Sequence, residues 1–334
     1  MENKKRKFNL YNVFHGRNDK KGVEKEDVIK KYDFLSFFKL YGRKFMKLLY
    51  VNAFYILGNF PIIFALLAFA KYFDKSAYAP SSPLFATLNG IEMLGISTPQ
   101  TAVLSGIFGS LTKIYAPTVT TYIFYGIGAL TIFTFGLVNV GCTYIIRNLI
   151  KCEPVFIWSD FWYAIKTNFR QGFFTGIIDC VIIGVLAYDI YFFWFNYNNG
   201  FAFIFFWLSI VMALIYFIMR FYMYVMLITF DLSIFKCIKN SLIFSVLALG
   251  RNFLALLGIV ALLIITLLLS SVFAALGFLI PLILLFSTAS FIGIYAAYPK
   301  IKKYMIDPYY DEYGNPLGKN GNSDASDGKE ENTL

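Results

Sequence analysis

From Asn252 to Tyr298 the chain runs 47 positions without one charged side chain. About 20 apolar residues suffice for a helix to cross a hydrocarbon layer of about 30 Å. This single stretch therefore holds two crossings and a turn near Ser270 to Gly277, and Lys300, Lys302 and Lys303 stop the second crossing. Similar runs precede it. Of all residues 58% are hydrophobic and 20% aromatic, against about 45–50% apolar in ordinary soluble domains. The chain reads as an all-α polytopic membrane protein with six transmembrane helices, at about 48–70, 118–146, 172–195, 201–228, 252–272 and 276–298. The membrane domain is expected over 27–304, with an outer loop at 71–117.

The net charge of +10 lies mainly outside the apolar runs, as membrane topology requires, and does not point to nucleic acid. Lys and Arg number 14 before the first span, 3 in the loop 71–117, 4 in 147–171, none in 196–200 and five after the sixth span. Rich and poor segments alternate, which predicts a cell-membrane protein with both termini cytoplasmic. Residues 1–26 form a basic tail carrying the single histidine, His15, and residues 305–334 a polar tail expected to be disordered. The first apolar run follows 47 highly charged residues, so it reads as a signal anchor and not a cleaved signal. Cys142, Cys152, Cys180 and Cys237 show no C-x-x-C spacing. Disulfides, zinc and other cofactors are not expected.

Amphipathic elbows are expected before spans 1, 3 and 5. In the first, Phe34, Phe38, Tyr41, Phe45 and Leu48 recur at helical spacing opposite Ser36, Lys39, Arg43 and Lys47, as suits a helix lying among lipid headgroups. In the second, Ser159 is the expected N-cap, Trp162, Ile165 and Phe169 form the apolar stripe, and Lys166 and Arg170 lie opposite. Asp160, Lys166 and Arg170 of this elbow could meet a cytoplasmic partner or simply snorkel at the lipid surface. The third, around residues 231–244, has the stripe Phe235, Ile238, Leu242. A shift of 73 positions lays the second elbow on the third, which suggests a threefold repeat of elbow, outward helix and inward helix.

Polar residues inside the spans are few. Asn52 and Asn59, seven apart, are expected to glue the first span to a neighbour, with Asn139 as candidate partner, and Pro61 to kink that span. Asp179 and Asp189 fall in the third span and Arg220 in the fourth. Counted from the inner membrane edge, Asp179 and Arg220 come to matching depth, so an intramembrane ion pair is available.

The segment NVGCTYIIRNLIKCEPVFIWSDFWYAIKTNFRQ (139–171) resembles the central block of the YesL-like integral membrane proteins of Firmicutes, whose pattern is G-x-T-Y-x-x-R-N, then W-S-D-F, then K-x-N. The likeness continues at GVEKEDV, LYVNAFYILGNFPI, TFDLSIFKCIKNSLIF and AAYPKIKKYMIDPYY. The long outer loop and polar tail are similar to clostridial versions. The resemblance implies a multi-pass protein often encoded beside carbohydrate uptake and degradation systems, and no established activity or catalytic residue.

An intramembrane enzyme would need a nucleophile with its base, paired acids or metal ligands. Asp179 and Asp189 are ten residues apart, about 15 Å along a helix, too far to act on one bond, so no enzyme is expected. Two readings stay open. One is an accessory or partner-binding component, with the bilayer and another membrane protein such as a carbohydrate transporter as partners. The other is a small-solute or ion transporter, favoured by the intramembrane charge and the repeat.

Overall fold

The structure, a computed structural model, describes residues 32–197, 200–272 and 279–309. The basic tail with His15, the polar tail from residue 310, residues 198–199 of the third-to-fourth-span turn and residues 273–278 of the last turn lie outside the described residues. Helix α1 (Phe34–Gly58) is followed by α2 (Pro61–Phe69). Strand β1 (Lys75–Pro80), α3 (Phe85–Met93), α4 (Pro99–Phe108) and β2 (Leu111–Ala116) occupy the expected outer loop, and α5 (Val119–Ala129) and α6 (Thr131–Ile150) the second span. Then come α7 (Ile157–Thr167), α8 (Phe169–Phe195), α9 (Gly200–Leu227), α10 (Ile234–Leu247), α11 (Leu249–Val272) and α12 (Leu279–Met305).

Five stretches are long and apolar enough to cross a membrane: Val119–Ile150, Phe169–Phe195, Gly200–Leu227, Leu249–Val272 and Leu282–Met305. The number is six if the broken pair α1 and α2 is counted as one span. The protein is all-α and polytopic. Only 17% of the most apolar window is buried within the protein in α8 and in α11, against 50% in the last span. A soluble protein does not leave such apolar faces bare. They are the lipid-facing sides, and α12 is the enclosed helix, packed on α1, α9 and α11.

Residues Asn59–Thr131 form one compact unit, and the remainder of the chain another. In the smaller unit α2 packs on α5. Thr118 and Thr121 close a reciprocal capping box at the start of α5. Thr121 Oγ1 also donates to Asp74 Oδ1 at 2.7 Å, and Thr118 Oγ1 to the Phe73 carbonyl at 2.9 Å. The short helices α3 and α4 lie within the expected outer loop. The ribbon β1–β2, antiparallel with Lys75 opposite Ala116 and Pro80 opposite Leu111, was not expected.

The first elbow is not a separate helix. No proline interrupts residues 34–58, and α1 runs unbroken through both the elbow and the start of the span. The expected kink at Pro61 is a full break. Pro61 starts α2 at a first-turn position, where its missing N–H has no helical partner to lose, and the Asn59 carbonyl accepts from Ile62 N at 3.1 Å. Asn52 and Asn59 thus belong to no common helix.

The other two elbows are distinct. Helix α7 starts at Ile157 because the Asp160 carboxylate accepts from the Phe156 N–H at 2.9 Å; Ser159 lies inside the helix and is not its cap. The chain turns at Asn168 (φ −113°, ψ 22°), whose side chain donates to the Ala164 carbonyl at 3.0 Å. Helix α10 breaks in the same way at Ala248 (φ −107°, ψ 28°). The two breaks stand 80 positions apart, so the backbone repeat has a different register from the 73 read from side chains. Helix α7 buries Phe161, Ala164 and Ile165, and Phe161 stacks on Phe54 of α1 with centroids 4.3 Å apart. Trp158 and Trp162 face outward.

Helix α6 meets α8 backbone to backbone. A Cβ on Gly136 would overlap the Gly172 carbonyl oxygen and the Gly176 Cα. Gly172 and Gly176 form the small-xxx-small spacing that lets membrane helices approach this closely. Gly184 on the same helix has open space around it. Gly136→Leu is therefore expected to lower stability in detergent by more than the roughly 1–3 kcal/mol of ordinary overpacking, while Gly184→Leu leaves it nearly unchanged; thermal unfolding of the two purified variants makes the comparison.

Candidate intramembrane polar site

Tyr216, Arg220 and Tyr224 follow one another at four-residue spacing on α9, so all three project from one face. That face meets Asp179 of α8, which is completely buried. Arg220 Nε lies 2.8 Å from Asp179 Oδ1 and donates to Oδ2 at 2.9 Å. Tyr216 donates its hydroxyl to Oδ1 at 2.9 Å, and Tyr224 to Oδ2 at 2.7 Å. The carboxylate thus receives three donors from a single helix. One charge in a span costs about 2.5–3.5 kcal/mol at a helix centre on insertion scales, and removing one partner of a buried pair costs about 3–5 kcal/mol. The arrangement is a lock between two antiparallel helices. The Arg220 guanidinium stacks 5.2 Å from the Phe135 ring of α6, so a third helix joins it.

Asp189 lies ten residues along α8, half-buried, with no hydrogen bond or ion pair among the described residues. Helical geometry keeps it about 15 Å from Asp179. Among the described residues no cluster of His, Cys, Asp and Glu could hold a metal ion.

The asparagines act differently from expectation. Asn52 does not pair with Asn139. Its amide bridges the α12 backbone, donating to the Leu282 carbonyl and accepting from Ser287 N at 2.9 Å. Asn139 donates to the Phe135 carbonyl of its own helix at 2.8 Å. The α1–α12 contact gains two more polar links, Tyr41 to Thr288 and Tyr55 to Ser290, both 3.0 Å. Asn252 of α11 accepts from the Tyr222 hydroxyl at 2.7 Å and donates to the Ser245 carbonyl at 2.9 Å. These two residues line a cavity of only about 10 Å³ between α9, α11 and α12, room for a single water.

A second buried cation is Arg147, near the end of α6. It is 1% exposed. Nη1 donates to the Ile228 carbonyl at 3.2 Å and to Thr229 Oγ1 at 2.9 Å, while Nε and Nη2 hold Asn148 Oδ1 at 3.2 and 3.0 Å. Its guanidinium lies 4.8 Å over the Tyr144 ring. A cation on the Ile228 carbonyl, one residue past α9, meets the negative end of that helix, so Arg147 caps a neighbour's C-terminus. Beside it Lys151 pairs with Glu153 at 2.6 Å. Burial pushes the Lys151 ammonium down to about 8, against the opposing pull of Glu153.

The expected partner-contact residues separate. The Asp160 carboxylate is engaged in starting α7. Lys166 is exposed on α7, and Arg170 is exposed on α8 beyond the Asn168 break. Cys152 is 6% exposed in a left-handed turn (φ 56°), which makes it a poor target for an impermeant thiol reagent.

Removing the Tyr224 hydroxyl leaves the Asp179 carboxylate one donor short. Tyr224→Phe should cost roughly 1–2 kcal/mol of stability, whereas Tyr188→Phe, at an exposed tyrosine of α8, should cost nothing measurable; chemical unfolding in detergent checks both.

Residues 102–190 match the model of a family described as a protein of unknown function, DUF624. The match contains Arg147, the α7 elbow and Asp179, and ends before the α9 residues that complete the lock. No curated protein and no solved structure matches the chain.

Proposed function

We propose that this multi-pass membrane protein is non-catalytic and works as an accessory component that binds a partner through its cytoplasmic elbow. The observation that carries the reading is the division of labour among its polar groups. Asp179, Asn52 and Arg147 are engaged in holding helices together, while α7 turns Trp158, Trp162, Tyr163 and Lys166 outward from a face anchored by Phe161. Aromatic anchors beside a cation are the residue types enriched at the centres of protein interfaces. The cell membrane, cytoplasmic termini and a carbohydrate transporter as partner are part of the proposal, the last supported by the sequence resemblance alone. A small-solute or ion transporter is the second reading, supported by the charges of Asp179 and Arg220 within the spans.

Two measurements test it. Lys166→Cys should react with an impermeant thiol reagent only after cells are opened; labelling of intact cells contradicts the orientation. The full chain purified in mild detergent should carry a carbohydrate-transport component that is lost with Trp162→Ala combined with Lys166→Glu. Solute uptake into vesicles by the purified chain alone, abolished by Asp179→Asn, would favour the transporter instead.

A further inference from the structure

Asp179 is saturated, but Arg220 is only half used. Its Nε carries the whole interaction with the carboxylate. The two terminal amino groups, with four N–H donors, make no hydrogen bond among the described residues, and the side chain is 19% exposed. The Phe135 and Tyr224 rings lie 5.2 and 6.0 Å from the guanidinium, and its outer edge is the edge that carries the two terminal amino groups.

We propose that the outer edge of Arg220 is a binding site for an oxyanion, a phosphate or carboxylate group, held within the membrane. Two parallel N–H donors match the two oxygens of such a group, which a lysine ammonium cannot do. Neighbouring chemistry extends the site. Phe135, Asn139 and Thr143 form one stripe of α6 at four-residue spacing; Asn139 donates to the Phe135 carbonyl, which leaves its amide oxygen as an acceptor on that stripe.

Depth identifies the sources. The 28 residues of α9 span about 42 Å, about 12 Å more than the hydrocarbon core. A centred helix leaves about 6 Å beyond each boundary. Arg220 stands seven residues, about 10 Å, before Leu227, so its backbone lies roughly 4–5 Å inside the boundary. A phospholipid headgroup can be drawn there with local thinning of the bilayer, and a small water-soluble anion can enter from the aqueous side. This inference is independent of the partner-binding reading.

The test uses the full chain in a non-ionic detergent, titrated separately with phosphatidylglycerol and with inorganic phosphate, against sodium chloride at matched ionic strength. One of the two should raise the melting temperature saturably. Stabilisation by phosphatidylglycerol alone assigns a lipid, and stabilisation by phosphate assigns a soluble anion. Arg220→Lys keeps a cation for Asp179 and should weaken that binding by about tenfold or more, the loss of a bidentate charge-assisted pair. The proposal is overturned if neither probe exceeds the salt control with the wild-type chain, or if Arg220→Lys binds as tightly as wild type. Should Arg220→Lys not fold, the wild-type titration decides alone.

Discussion

A carboxylate inside hydrocarbon has no water to turn to, so it must be neutralised or surrounded by donors that the protein itself provides. Asp179 is surrounded. Tyr216, Arg220 and Tyr224 lie on one face of α9 and converge on both of its oxygens, which fixes how far α8 and α9 slide past each other and how each is rotated. The same pressure accounts for the other long-range polar contacts. Asn52 holds the α12 backbone, Arg147 the end of α9, and Asn252 both Tyr222 and the end of α10. Between membrane helices apolar contact gains nothing over contact with lipid, so these few bonds and the Gly136–Gly176 approach decide the packing.

Distribution of the core follows from this. The buried apolar cluster gathers where α6, α9 and α12 meet the elbows, from Ile145 to Ile150, Tyr222 to Ile228 and Ala297 to Ile301. Water can reach this end of a span, and there the hydrophobic effect again contributes. Farther along α8, α9 and α11 the faces belong to lipid, with Tyr188, Tyr191, Trp194 and Trp207 exposed among them. One end of the larger unit is thus built like a soluble core and the rest like a membrane bundle. The elbows sit where the two regimes join.

Much of this was legible in the sequence, for physical reasons that differ by element. The spans were visible because hydrocarbon thickness demands long apolar runs, and the pairing of Asp179 with Arg220 followed from charge and depth. Tyr216 and Tyr224 were hidden because tyrosine is common here, with 24 in the chain, and reads as core or belt. Their four-residue spacing around Arg220 was the available signal. The partners of Asn52 were not legible, since both are backbone groups that no residue type marks, and Arg147 meets Ile228 and Thr229, 81 and 82 positions away. Ser159 looked like a cap by type, yet the Asp160 carboxylate one residue later took the Phe156 N–H. The ribbon β1–β2 pairs residues 31 to 41 positions apart, beyond the reach of local patterning.

The central claim is that Asp179 and Arg220 hold α8 and α9 together by direct interaction, and a double-mutant cycle tests it most directly. Stability in detergent is measured for wild type, Asp179→Asn, Arg220→Gln and the double variant, with the exchange Asp179→Arg/Arg220→Asp alongside. The lock predicts that the double variant loses less than the sum of the two single losses, by about 0.5–3 kcal/mol, and that the exchange recovers part of the stability. Losses that add within about 0.3–0.5 kcal/mol, with no recovery on exchange, would contradict it.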